Sequence, residues 1–281
     1  MRIITDIAKL RKALTAARRK GKRIGFVPTM GCLHEGHLSL MDACRRENGL
    51  TVVSIFVNPA QFSPTEDFAA YPRQKKRDVL LAKKRNVDII FYPSIKTIYP
   101  KRYLTYIDVK KITQTLCGHS RPKHFRGVTT VVAKLLNIVL PDVLYLGQKD
   151  AQQCVVIRQM TTDLNFPVQV KVLPTVREKD GLAMSSRNAY LTPKQRREAT
   201  VLYRSLRQAR QQVARGERRA ATVTKNIRRL IRQDSKGRIE YVACVAADTL
   251  EPVKTLKGHI LIALAVRFGK ARLIDNIFLH V

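Results

Sequence analysis

Ile24-Gly-Phe-Val-Pro-Thr-Met-Gly-Cys-Leu-His34-Glu-Gly-His37 is the stretch on which the architecture turns. Its apolar run, Ile24 to Val27, stops at Pro28. A glycine-bearing turn then leads through two histidines, three residues apart, into a helical stretch from Gly36 to Arg46. A buried strand that passes through a tight turn into a helix is the repeating joint of an open α/β sheet, and ligands bind at the carboxyl ends of such strands. Gly31 and Gly36 allow close backbone approach, and the free N–H groups at the helix start favour a phosphate. His34 and His37 at that start can donate charge-assisted hydrogen bonds to developing negative charge.

The same alternation extends in both directions. Upstream, Ile7, Leu10, Leu14 and Ala17 recur at helical spacing behind a cap at Thr5 or Asp6. Downstream, Leu50 to Val57 and Val87 to Tyr92 read as buried parallel strands, and Val143 to Leu146 and Val168 to Leu173 as further strands. Helical stretches at Arg73 to Arg85, Val128 to Val139 and Ala151 to Leu164 fall between or beside them. The pattern predicts a doubly wound α/β domain over 1–176. A smaller α+β domain is expected over 177–281. It has a long helix opening at Thr192-Pro193, a second helix from Ala220 to Gln233, and strands at Ile239 to Ala246 and Ile260 to Phe268.

Composition narrows the classes. With 281 residues, 45% of them hydrophobic, the chain can bury a sizeable core. Its longest apolar run, Ile260 to Val266, is far too short to cross a bilayer, and the start lacks the pattern of a secretory signal, so a cytoplasmic location and no membrane partner are expected. The five cysteines are scattered with no Cys-x-x-Cys spacing, which indicates neither a disulfide framework nor a zinc site. The charge is unusual: 53 Lys+Arg against 21 Asp+Glu give +32, with a pI near 10.6. Such a field attracts polyanions nonspecifically. The basic residues are spread along the chain without accompanying aromatics, and this argues against a dedicated nucleic-acid site.

Two further motifs carry chemistry. Gly147-Gln-Lys149-Asp150 follows the strand Val143 to Leu146, where a lysine serves as a compact positive charge for a phosphate. Met184-Ser-Ser-Arg187-Asn188 follows Lys179-Asp-Gly181, and its two hydroxyls and forked guanidinium suit a triphosphate. The combination of His-x-Gly-His-like turn and Ser-Ser-Arg loop resembles the class I nucleotidylyl transferases. Within that superfamily, several further blocks resemble pantothenate synthetases. They are Val53-Ser-Ile-Phe-Val-Asn58-Pro-Ala-Gln61-Phe, Tyr71-Pro-Arg73, Ser120-Arg-Pro-Lys-His-Phe-Arg-Gly127, Gly147-Gln-Lys-Asp-Ala-Gln-Gln153, Asp180-Gly-Leu-Ala-Met-Ser-Ser-Arg-Asn188 and Leu273-Ile-Asp-Asn-Ile277, in the family's order over nearly the whole chain.

The resemblance implies a Rossmann-like fold and a two-step ligation. Pantoate is activated as an acyl-adenylate with loss of pyrophosphate, and the β-alanine amine then displaces AMP. It assigns ATP, as substrate, to Met30, His34, His37, Gly147, Lys149, Asp150, Val176, Met184, Ser185, Ser186 and Arg187. Of these, His37, His34, Lys149 and Arg187 are the catalytic set. (R)-Pantoate falls to Gln61, Gln153 and Asn58, and β-alanine to Gln61. His37 is written in the family as a proton donor; stabilising charge at phosphorus is the role its chemistry supports. The family also implies a homodimer and Mg²⁺. Here Asp78 is the expected metal contact, but Gln74-Lys-Lys-Arg77 stands where relatives carry acids, and Gln148 stands where they carry glutamate. Arg121, His124 and Arg126 read equally as site residues or as a solvated basic loop. Two rival readings stay open: a nucleotidylyl transferase of another small acid, and a nucleic-acid-binding derivative of the fold.

Overall fold

The computed structural model describes residues 1–64 and 66–281. Its elements run β1 (Arg2–Ile4), α1 (Ile7–Arg19), β2 (Ile24–Thr29), α2 (Glu35–Glu47), β3 (Leu50–Ile55), α3 (Lys75–Lys84), β4 (Ile89–Phe91) and the single turn α4 (Ile95–Ile98). They continue with the single turn α5 (Cys117–Ser120), then α6 (His124–Val139), β5 (Val143–Gly147), α7 (Ala151–Asp163) and β6 (Gln169–Leu173). The last part comprises α8 (Pro193–Glu198), α9 (Val201–Ala214), α10 (Ala220–Asp234), β7 (Arg238–Ala246), β8 (His259–Phe268) and β9 (Ala271–His280).

Two units result. The first takes Met1–Val109, Arg121–Gln148 and Val156–Pro174; the second takes Lys110–Ser120, Lys149–Val155 and Thr175–Val281. The chain therefore enters the second unit twice before Thr175, and α7 begins in one unit and ends in the other.

In the first unit six parallel strands lie in the order β1-β4-β3-β2-β5-β6. Every residue of β3 is buried, which is why that strand reads as a continuous apolar run rather than an alternating one. From β2 the winding runs outward through β3 and β4 on one side, and through β5 and β6 on the other. The switch point thus falls between β2 and β5, and crevices for ligands open at the carboxyl ends of these strands. Val27, Val53, Ile90 and Tyr145 of the sheet pack with Leu38 and Met41 of α2 and Ala82 of α3 in one apolar cluster. Asp6 caps α1 by accepting from the Lys9 N–H at 2.8 Å, worth about 1 kcal/mol.

In the second unit β7-β8-β9 form an antiparallel sheet buried on both faces. Ile260, Ile262, Leu264 and Val266 face α9 and α10 through Leu202, Leu206, Val223 and Ile227. The alternate residues Leu261 and Ala263 pack with Val245, Leu250 and Ala151, with Ile112 and Leu116 alongside. Those last three belong to the segments that join this unit early, and their apolar contacts are the reason they do so.

Three elements differ from the sequence expectations. The helix opening at Thr192-Pro193 breaks after Glu198. There the Thr200 and Leu202 N–H groups reach back only three residues, and Thr200 Oγ1 donates to the Arg197 carbonyl at 2.8 Å. The small sheet has a third strand, β9, whose central Asp275-Asn276 interrupts its apolar pattern. The N-terminal β1 is a three-residue parallel partner of β4, too short to show a period.

Candidate active site

The turn after β2 is built from two successive left-handed residues, Gly31 at φ 83° and Cys32 at φ 51°. Gly31 is required twice over, since a Cβ there would also meet Asp78 Oδ2 at 3.0 Å and Ile55 Cγ2 at 3.1 Å. For Cys32 the conformation costs about 1–2 kcal/mol. The offset comes from α3: Asp78, 1% exposed, accepts the Cys32 N–H at 2.9 Å on Oδ2 and the Leu33 N–H at 2.8 Å on Oδ1. Hydrogen bonds to a charged acceptor contribute about 1.5–3 kcal/mol each, enough to hold the turn. Arg77 adds a third contact, donating from Nη1 to the Leu33 carbonyl at 3.2 Å. Burial pushes the Cys32 thiol pKa up, the Asp78 charge adds to this, and Arg77 opposes it.

The turn delivers both histidines to the start of α2. His34 is its N-cap: Nδ1 accepts the Gly36 N–H at 3.1 Å, while His37 Nδ1 accepts the His34 N–H at 3.4 Å. The ring centroids are 4.1 Å apart. An accepting Nδ1 places the proton of a neutral imidazole on Nε2, so each ring carries an Nε2–H donor. Two such donors at a helix N-terminus suit an anion.

The turn after β3 supplies Asn58 and Gln61. Asn58 is 1% exposed, and its amide is fully engaged. Oδ1 accepts from Tyr99 OH at 2.8 Å and from the Ala60 N–H at 3.3 Å; Nδ2 donates to Gln61 Oε1 at 3.1 Å and to the Gly127 carbonyl at 3.0 Å. Asn58, expected as a pantoate contact, orients Gln61 in this structure. Gly127 permits this closeness, because a Cβ there would lie 2.1 Å from the Ala60 carbonyl oxygen. Gln61 Nε2 lies 3.0 Å from Met30 Sδ, which joins this turn to the one after β2. The Gln61 carbonyl accepts from Arg121 Nη2 at 3.3 Å and lies 2.9 Å from His124 Nδ1. Arg121 is in turn gripped by Glu66 through bonds of 2.5 and 2.8 Å. Arg121 and His124 therefore brace the site. The sequence block containing them was visible, but the carbonyl they hold was not.

Gly147 ends β5, at the switch point. Gln148-Lys149-Asp150 form a short 3₁₀ turn that leads into α7.

In the second unit Lys149 Nζ lies 3.7 Å from Asp150 Oδ2, and the Lys149 carbonyl accepts from Asn276 Nδ2 at 3.0 Å. The neighbouring glutamines have separate duties. Gln152 is 6% exposed and holds the early segment, accepting the Cys117 N–H at 2.9 Å and donating to the Ile112 and Thr115 carbonyls. Gln153, one position round the helix, is half-buried.

Val176 and Met184 face each other across a turn, the Met184 N–H donating to the Val176 carbonyl at 3.0 Å. Ser185 caps the 3₁₀ turn Ser186–Tyr190 by accepting the Arg187 N–H at 3.3 Å, and Asn188 ties the turn to the Ala183 carbonyl at 3.1 Å. The base of the loop is Arg177, paired with Asp275 through bonds of 2.7 and 2.9 Å and donating to the Gly181 carbonyl at 3.1 Å. Arg177, Asp275 and Asn276 are the positioning residues that the motifs alone did not single out.

Asp78, the expected metal contact, does not fit one. Both its oxygens serve backbone amides, it has almost no solvent access, and the next residue toward the N-terminus is a cation. Among the described residues no group of three His, Cys, Asp or Glu could hold a metal ion.

Comparison with known proteins identifies the family. The family model for pantoate-beta-alanine ligase matches residues 2–278. The pantothenate synthetase of Moorella thermoacetica is 53% identical over all of this chain and 99% of its own, and that of Heliobacterium modesticaldum is 54% identical over the whole of both. The crystal structure of pantothenate synthetase from Thermus thermophilus superposes with a TM-score of 0.94 at 44% identity, covering 99% of each chain. The pantoate-beta-alanine ligase of Francisella tularensis, solved in complex with beta-gamma ATP and β-alanine, gives 0.80 at 37% identity, covering 99% of this chain and 97% of that one. Strands, turns and motif order over the full length place this chain in the pantoate-beta-alanine ligase family.

Proposed function

We propose that the protein condenses (R)-pantoate with β-alanine, cleaving ATP to AMP and pyrophosphate. The observation that carries this reading is the meeting of two turns at the carboxyl ends of β2 and β3. The histidine-bearing turn and the Gln61 turn are joined at Met30 Sδ and Gln61 Nε2, 3.0 Å apart. One turn suits the nucleotide phosphates, and the other offers neutral amides to a hydroxy acid.

In the first step a pantoate carboxylate oxygen attacks the α-phosphorus of ATP, and the bond to pyrophosphate breaks. His34 and His37 donate Nε2–H bonds to the phosphates, Lys149 and Arg187 supply fixed positive charge, and Ser185, Ser186, Gly147, Asp150, Val176, Met184 and Met30 complete the nucleotide contacts. Gln61 and Gln153 orient pantoate through neutral amides, which add no charge to compete with the carboxylate. In the second step the β-alanine amine, beside Gln61, attacks the acyl carbonyl; the C–N bond forms, AMP leaves and the amine loses a proton. Any Mg²⁺ would be held through the triphosphate's own oxygens rather than by Asp78, and would supply charge neutralisation there.

The test is AMP release with pantoate and β-alanine omitted in turn. AMP-forming turnover is expected only with both acid and amine. A product that retains AMP would favour transfer to another small acid, and no AMP from folded protein in the complete mixture would overturn the reading. We also propose a cytoplasmic homodimer, a lid role for residues 177–281, and nonspecific polyanion affinity from the +32 charge. No helix among the described residues is long and apolar enough to cross a membrane. Sedimentation with and without a polyanion across a salt series tests the assembly and the affinity together.

A further inference from the structure

We infer that Arg77 and Asp78 form a peptide clamp that positions the histidine-bearing turn, and that this corner of the fold is not a metal site. The two residues stand in the first turn of α3 and hold the backbone of one residue, Leu33, at both its N–H and its carbonyl, and so fix two successive peptide units. Asp78 receives the N–H of Leu33, and Arg77 donates to the carbonyl of the same residue. Asp78 also takes the preceding N–H, that of Cys32. Leu33 itself is 0% exposed, and the next residue is His34, the cap of α2. Fixing the Leu33 backbone on both sides therefore fixes where His34 starts and, through the His34 N–H to His37 bond, how His37 is turned. The resemblance to relatives with acids near this point suggested a metal. A carboxylate committed to two amides beside a guanidinium performs a positioning task with no ion.

The idea rests on the proposed role of the two histidines only for its kinetic consequence; two of its readouts need no turnover. Hydrogen exchange over residues 30–37 is compared in the unaltered protein, Asp78→Asn, Arg77→Gln and Arg77→Glu, and Mn²⁺ binding is followed by titration without nucleotide. Asp78→Asn is expected to speed exchange in that segment by about tenfold or more, the loss of a hydrogen bond to a charged acceptor. Arg77→Gln, on the exposed side of the clamp, should speed it by a few-fold and remain folded, which keeps the test decisive if Asp78→Asn does not fold.

Arg77→Glu separates the two interpretations. As a clamp, the corner loses its Leu33 contact, the KM for ATP rises while that for β-alanine stays constant, and no Mn²⁺ site appears. As a metal corner, the added acid would strengthen Mn²⁺ binding and leave the turn protected. That second pattern, or unchanged exchange in both Arg77→Gln and Asp78→Asn, would overturn the clamp.

Discussion

Gln61 shows how much of a candidate binding residue lies outside its own side chain. Its Oε1 is fixed by Asn58, and its carbonyl by Arg121 and His124, so the amide projects from a braced turn. The brace depends on Glu66. Burial alone would raise its pKa, but the Arg121 guanidinium more than offsets this and holds the carboxyl below the usual range. A depressed folded pKa stabilises above the ordinary glutamate value of about 4.3, and the contribution is lost as pH falls through the folded value. Glu66→Gln should therefore be less stable than the unaltered protein at pH 7, by about 1 kcal/mol after solvent screening, and the gap should close as pH falls through the folded value. Thermal melts across pH 3 to 7 check this; a gap independent of pH would count against it. The glutamine was legible in its motif. Glu66 was not, because its partner is distant in sequence.

Among elements, β9 couples two loops through neighbouring residues that face opposite sides of the sheet. Asp275 reaches Arg177 at the base of the Ser-Ser-Arg loop, while Asn276 reaches the carbonyl of Lys149. Asp275 is 2% exposed, and Asp275→Asn leaves a largely buried guanidinium without its counter-charge, at a cost of about 3 kcal/mol or more. Calorimetry should show a melting point lower by roughly 6–12 °C for a chain this long, and loss confined to well under a degree would refute the pairing as a support. The polar pair that makes these contacts is what hid the strand. The central strands of the large sheet announced themselves because both their faces are apolar, whereas β9 alternates about an Asp-Asn centre. Likewise the cap and proline at Thr192-Pro193 marked a helix start correctly, but nothing local foretold the break at Thr200, where a hydroxyl competes for a carbonyl.

At the scale of the whole molecule, the order of residues along the chain and the order of packing diverge. Residues 110–120 and 149–155 belong with the second unit, where Ile112, Leu116 and Ala151 cover the face of the small sheet that carries Val245, Leu261 and Ala263. A fragment 177–281 keeps its helices α8 to α10 and all three strands, yet loses the cover of one sheet face. It should expose contiguous apolar surface and bind a hydrophobic dye or aggregate; a monodisperse, cooperatively melting fragment would contradict this. The consequence reaches beyond stability. A protein laced in this way has no cassette that a single recombination could lift out intact, so its histidine-bearing turn, its Gln61 turn and its Ser-Ser-Arg loop must be inherited, and altered, together.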